Sequence, residues 1–264
     1  MTNPNTTQLR GQKRITSILD KVIPIKILES YLESVGSFIQ VAKIGWGLSL
    51  IDKSLQERIE LYNSYGVKVC SGGTLFEFFY KNKELDKFYD FITNNNFQVC
   101  EISDGTIDIP QETKLLHISR ASKEIECLSE VGSKDSKTIM SPRKWCLQIQ
   151  EELDAGASHV ILEGRETGNA GIYRNSGEIR QGLIDEIIEY GISCDSLIFE
   201  ASLKKHQVTF IDKFGPNINF GNIDIKEVMS LESLRMGCRS DTLNIVNDPD
   251  NFERIWKQHQ KKSR

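Results

Sequence analysis

Short apolar runs alternate with longer amphipathic stretches along the whole chain. Four of the runs end in a glutamate: Gln98 to Glu101, Glu126 to Glu130, Val160 to Glu163 and Leu197 to Glu200. The glutamates are 29, 33 and 37 residues apart, which is the length of one strand-plus-helix unit. Further β-prone runs lie at 15–19, 38–44, 67–70 and 218–220. Between them the pattern predicts helices from Pro24 to about 35, over 52–65 and 75–93, from Pro110, from Ser141-Pro142 to about 154, and over 179–190, 203–213 and 224–236. Eight strands in strict alternation with eight helices predict a parallel sheet with right-handed crossovers, and eight units favour closure. The expectation is an α/β protein: a single-domain (β/α)8 TIM barrel over 15–242, with an N-terminal arm at 1–14 and a tail at 243–264.

A glutamate closing a buried parallel strand is not what burial selects. Read singly, each is a strand-end carboxylate paired with a nearby Lys or Arg. Four at equivalent positions point instead to a shared acidic mouth, because a barrel of this kind carries its active site at the C-terminal ends of its strands. Those ends bring together Asp20 with Lys21, Lys43, Gly72 with Gly73, Glu101 with Asp104, Glu130 with Lys134, Glu163 with Arg165, Glu200, and Gly221 with Asn222. Clustered carboxylates need cations among them. With no Cys or His at these positions, a hard oxygen-binding ion such as Mg2+ is favoured over zinc.

Lys21, Lys43, Lys134, Arg165 and, further on, Arg239 suit an anionic substrate, and equally suit neutralising the carboxylates. Ser71-Gly-Gly-Thr74 is a glycine turn entering a helix, where backbone N–H groups hold anions. The turn at 220–225 and the segment 235–242 stand where such barrels bind a phosphate. The loop 164–177, rich in Gly and Asn, reads as a moving or substrate-covering segment.

Composition narrows the class. A net charge of −4 gives no electrostatic reason to bind nucleic acid. No apolar run approaches the roughly 20 residues that span a bilayer, and the polar start Met1-Thr-Asn-Pro-Asn lacks the apolar core of a signal peptide, so the chain reads as cytoplasmic. The six cysteines never fall in CxxC spacing and sit mostly in apolar runs, as small buried hydrophobes. Of four scattered histidines, only His206 falls near a strand end.

Motifs at the predicted strand ends add a resemblance. Lys43-Ile-Gly-Trp-Gly47, Gly72-Gly-Thr-Leu-Phe-Glu77, Glu101-Ile-Ser-Asp-Gly105, Ser129-Glu-Val-Gly132, Glu163-Gly-Arg-Glu166, Phe199-Glu-Ala201, Phe214-Gly-Pro-Asn217, Gly221-Asn-Ile223 and Leu231-Glu-Ser-Leu-Arg235 with Asp241-Thr242 make the chain resemble the phosphosulfolactate synthase family from about 15 to 242. The resemblance implies a carbon–sulfur lyase adding sulfite to phosphoenolpyruvate in a Mg2+-dependent step on the route to coenzyme M or sulfolactate. It implies that Lys134 is the general acid, its pKa lowered by a crowded cationic mouth. Glu101, Asp104, Glu130, Glu163 and Glu200 become metal ligands or their supports. Lys43 and Arg165 would hold the carboxylate or sulfite, Gly221, Asn222 and Arg239 the phosphate, with Lys21 and Gly73 also at the substrate.

The chain departs from the family pattern at Val22, where glycine is usual, at Ser133, where a lysine is usual, at Ser202 to His206 and at Ser240. Two alternatives therefore stand beside the lyase: a diverged barrel enzyme using another phosphorylated or enolate-forming substrate, and a non-catalytic member that binds metabolites. Exposed helix faces allow a homo-oligomer that no residue pattern demands.

Overall fold

The computed structural model describes residues 14–135 and 137–246, together with Leu9 and residues 252, 253, 256 and 257. Eight parallel strands close into a barrel in sequence order: β1 Thr16–Asp20, β2 Val41–Ile44, β3 Lys68–Cys70, β4 Val99–Ile102, β5 Glu126–Val131, β6 His159–Leu162, β7 Leu197–Glu200 and β8 Phe220–Ile223. Pairing of Thr16 with Phe220 and of Ile18 with Ile223 completes the ring. The fold is the single-domain (β/α)8 barrel that the alternation predicts.

Nine α-helices lie outside the barrel among the described residues: α1 Ile25–Val35, α2 Leu55–Ser64, α3 Gly73–Lys81, α4 Leu85–Asn94, α5 Gln111–Ala121, α6 Pro142–Asp154, α7 Gln181–Glu189, α8 Lys204–Phe214 and α9 Val228–Arg235. The predicted helix at 75–93 is two, because Lys83 turns left-handed at φ 59° and Glu84 N–H closes on the Phe79 carbonyl. The last strand also starts later than the apolar run at 218–220, so Gly221 and Asn222 lie within β8 and not in a turn after it. At α6 the sequence signal is borne out: Ser141 accepts from Lys144 N–H at 3.3 Å and Pro142 opens the helix.

Side-chain alternation along the strands places the site. Val41, Val99, Leu128, Ile161 and Ile198 form, with Leu9, Ile15 and Cys70, an apolar cluster inside the barrel. Two residues on from five of these come Lys43, Glu101, Glu130, Glu163 and Glu200, on the same inward face. The residues between them, such as Ala42, Cys100, Leu162 and Phe199, belong to the separate core under the helices. The barrel thus has an apolar floor and a charged layer above it. Leu9 belongs to the floor: it is buried, and its N–H donates to Glu126 Oε1 at 2.7 Å. The other residues of the predicted arm up to 13 lie outside the described residues, as do 247–251, 254, 255 and 258–264 of the tail. No helix of the described residues is long and apolar enough to cross a membrane.

Candidate active site

Glu101, Glu130, Glu163 and Glu200 are all buried within the barrel mouth, and two lysines lie among them. Lys43 Nζ stands 3.0 Å from Glu200 Oε1 and 3.3 Å from Glu101 Oε2. Lys134 Nζ stands 3.0 Å from Glu163 Oε2, bonds Glu130 Oε1, and lies 4.0 Å from Glu77 Oε1. Backbone donors hold the other oxygens: Gly73 N–H on Glu101 at 2.8 Å, Gly164 N–H on Glu200 at 3.0 Å and Arg165 N–H on Glu163 at 2.7 Å. One oxygen each of Glu130, Glu163 and Glu200 lies within 4.8 Å of the other two.

Five buried carboxylates, Glu77 included, face two ammonium groups, and the pKa values of Glu101, Glu130 and Glu163 divide accordingly. Burial, reinforced by Glu130 and Glu200 against the pull of Lys43, pushes Glu101 up to about 7. Burial and the neighbouring Glu130 and Glu200 push Glu163 up as well. Glu130 is held down at about 2, because Lys134 and Lys43 outweigh its burial. Burial disfavours charge on both lysines, yet Glu101 and Glu200 raise Lys43, and Glu130, Glu163 and Glu77 raise Lys134. This reverses the expected lowering of Lys134: its surroundings are anionic, so it rests as an ammonium.

Not every predicted residue joins this group. Asp104 turns outward to Lys114 Nζ at 2.7 Å, so it is a partner of that lysine and not one of the converging carboxylates. Asp20 falls on the outward parity of β1 and is bound by Arg58 Nη1 at 3.0 Å and Tyr62 OH at 2.9 Å. Lys21 is exposed, 5.5 Å over the Trp46 ring. Arg239 Nε lies 3.9 Å from Asp241 Oδ2. Gly221 faces Ile198 and Glu200 inside the barrel, and Asn222, left-handed at φ 56°, offers a buried Oδ1 that has no partner.

The loop 164–177 is strapped down and not a free lid. Ile172 N–H donates to the Glu163 carbonyl at 2.8 Å and Tyr173 OH to the Glu200 carbonyl at 2.6 Å. His206 stacks on Tyr173 at 3.9 Å and binds the Gly177 carbonyl at 2.8 Å, so it secures this strap. Gly171 makes it fit: at φ +56°, a Cβ there would lie 1.9 Å from the Glu163 carbonyl oxygen.

Two buried groups escape a reading of strand ends because both sit on helices. Glu77 of α3 accepts from Ser103 Oγ at 2.6 Å and from Thr106 N–H at 3.0 Å, which fixes the turn after β4 against Lys134. Lys114 of α5 reaches Asp104 at 2.7 Å, Glu152 of α6 at 2.7 Å and the Glu130 carbonyl at 2.6 Å. Its position near the start of an amphipathic helix disguises it as a surface lysine.

Two cavities open on the mouth. One of about 40 Å³ lies within the ring, lined by Lys43, Glu101, Glu130, Lys134, Glu163 and Glu200 with Trp46, Gly73, Arg165 and Asn222. The other, about 760 Å³, lies beside it between the loops after β4, β5 and β6 and the start of α6. Lys134 and Arg165 line both.

This arrangement has relatives. The family model described as (2R)-phospho-3-sulfolactate synthase (ComA) matches residues 5–241. The chain belongs to the phosphosulfolactate synthase family. The phosphosulfolactate synthase of Methanocaldococcus jannaschii is 40% identical over 243 residues, covering 89% of this chain and 96% of that one. That of Bacillus subtilis is 38% identical over 227 residues, covering 85% and 90%. Among solved structures, 3-hexulose-6-phosphate synthase from Salmonella typhimurium matches with a TM-score of 0.54 at 10% identity, over 84% of this chain and 99% of that one. That likeness is one of fold. Within the phosphosulfolactate synthase family, the donor set of this mouth suits a hard divalent ion. Its converging atoms are all oxygen, and Asn222 Oδ1 beside them is buried without a hydrogen-bond donor.

Proposed function

We propose that this protein is a cytoplasmic lyase that adds sulfite to phosphoenolpyruvate, giving (2R)-phospho-3-sulfolactate. The observation that carries the reading is the convergence of Glu130, Glu163 and Glu200 opposite two ammonium groups in a buried mouth. Glu130, Glu163 and Glu200 would hold a Mg2+ ion, with Glu101 beside them on Lys43. When bound, that ion supplies positive charge next to the substrate carboxylate, where negative charge builds during the reaction.

The chain's own residues do the rest. Lys43, kept protonated by Glu101 and Glu200, anchors the substrate carboxylate. The sulfur lone pair of sulfite forms a bond to the methylene carbon, and the carbon–carbon π pair moves onto the carboxylate as an aci-enolate. Fixed cations lower the cost of that charge because they are already oriented. The electron pair then returns to the carbon bearing the phosphate and takes a proton from Lys134 Nζ, leaving a neutral amine that solvent reprotonates. A lysine held as an ammonium by Glu130 and Glu163 starts each cycle with the proton this step needs.

Incubating the protein with phosphoenolpyruvate, sulfite and Mg2+ tests the reading through loss of phosphoenolpyruvate. Loss that requires sulfite supports it. No loss at any sulfite concentration overturns it, and turnover without sulfite assigns the mouth to another nucleophile.

A further inference from the structure

The ring cavity of about 40 Å³ is much smaller than the cavity of about 760 Å³ beside it. With the cation and the carboxylate placed in the ring, the phosphate ester extends into the wider space beside it. Its direction follows from the reaction proposed above, on which this inference rests. The carbon that Lys134 protonates also carries the phosphate oxygen, so the phosphoryl group lies next to Lys134 Nζ. Lys134 and Arg165 form the shared wall between the ring and the cavity of about 760 Å³.

That larger cavity adds a third cation, Lys144, from the first turn of α6. Among the described residues, neither Lys144 nor Arg165 lies within ion-pair distance of a carboxylate. Two acids in the lining are otherwise engaged: Asp104 by Lys114 at 2.7 Å, and Asp135 by Lys137 N–H at 3.0 Å and Thr138 Oγ1 at 3.2 Å. A third, Asp108, is exposed to solvent. The end of β8, where barrels often hold a phosphate, offers no such cation. Arg239 and Lys204 both face Asp241, Lys204 at 3.1 Å, and neither lines the ring or the larger cavity.

We propose that the cavity between the β4, β5 and β6 loops and α6 is the phosphate subsite, with Arg165 and Lys144 holding the phosphoryl oxygens. The subsite admits a phosphomonoester on the face from which Lys134 delivers its proton. Lys144 is exposed, so Lys144→Ala leaves the fold intact, which its melting temperature checks.

The first measurement uses inorganic phosphate as the probe, titrated into wild type, Lys144→Ala and Arg239→Ala by calorimetry. Losing a charged hydrogen bond weakens phosphate binding by about tenfold or more in Lys144→Ala, while Arg239→Ala binds as wild type does. The second is steady-state kinetics, in which Lys144→Ala raises KM for phosphoenolpyruvate and leaves KM for sulfite unchanged. Unaltered phosphate binding in Lys144→Ala, loss of binding in Arg239→Ala, no binding to wild type, or a rise in KM for sulfite each overturns the assignment. If phosphate binds through Lys144 but phosphoenolpyruvate is not consumed with sulfite, the proposed reaction fails and the subsite stands for another phosphorylated substrate.

Discussion

Lys114→Met is the substitution whose cost the structure defines best. The wild-type ammonium is buried and spends its three donors on Asp104, Glu152 and the Glu130 carbonyl. Methionine fills much of the same volume without charge or donors. Glu152, fully buried on α6, then keeps a carboxylate with no counter-charge, whereas Asp104, whose side chain is 20% exposed, can turn to water. Removing one partner of a buried ion pair costs about 3–5 kcal/mol. For a chain of this size that is a fall in Tm of about 10 °C.

Urea unfolding of four proteins measures it: wild type, Lys114→Met, Glu152→Gln and the double variant. Glu152→Gln alone leaves Lys114 two of its acceptors and costs about 1–2 kcal/mol. The double variant removes the stranded carboxylate and recovers about 1–3 kcal/mol relative to the sum of the singles. A loss below about 1 kcal/mol for Lys114→Met, or additivity within about 0.5 kcal/mol, refutes the argument that Lys114 and Glu152 act as one buried unit.

Lys134→Ala lowers kcat by about 10²–10⁴, read by phosphoenolpyruvate consumption at saturating sulfite; unchanged turnover rules out Lys134 as the acid. Gly171→Ala forces a Cβ into the Glu163 carbonyl, so the strap lifts and limited proteolysis between Gly164 and Gly177 quickens; equal cleavage rates contradict the close approach. Burial lowers the pKa of His206, with Lys205 adding to it against the Gly177 carbonyl bond. The unfolded chain therefore binds the proton more readily, and this contribution to stability is complete above about pH 6.5. It is lost as pH falls through the folded value, and His206→Gln, which keeps a donor for Gly177, flattens the urea midpoint between pH 7.5 and 5; an unchanged slope refutes the assignment to His206.

The barrel and the four glutamates are legible in the sequence for one reason: each strand-plus-helix unit ends its strand at the same height, so the spacing of Glu101, Glu130, Glu163 and Glu200 records their convergence. What the spacing omits is parity. Asp20 ends its strand too, but one residue out of phase with Ser17 and Leu19, and so faces Arg58 and Tyr62. Asp104 lies past its strand, where the turn can aim it anywhere. Gly221 and Asn222 resemble a turn by composition, and only pairing with β1 and β7 makes them strand. The protonation of Lys134 depends on distances to Glu130, Glu163 and Glu77, which a list of charges does not contain. Glu77 and Lys114 matter through tertiary contacts of helices, and helical periodicity alone does not separate such residues from solvent-facing ones.

The anchoring of Leu9 in the barrel floor has a consequence in time. Two positions find their partners only much later in synthesis: Leu9 needs Glu126, and Ile15 N–H needs Asn219 Oδ1, 2.8 Å away in space and 204 residues later in sequence. At about 5–20 residues per second of synthesis, that amide waits ~10–40 s for its acceptor. Until then Leu9, Ile15 and Val41 lack the later strands that complete the floor around them. A nascent chain of this protein should recruit a holdase before β8 emerges and release it once Phe220 pairs with Thr16.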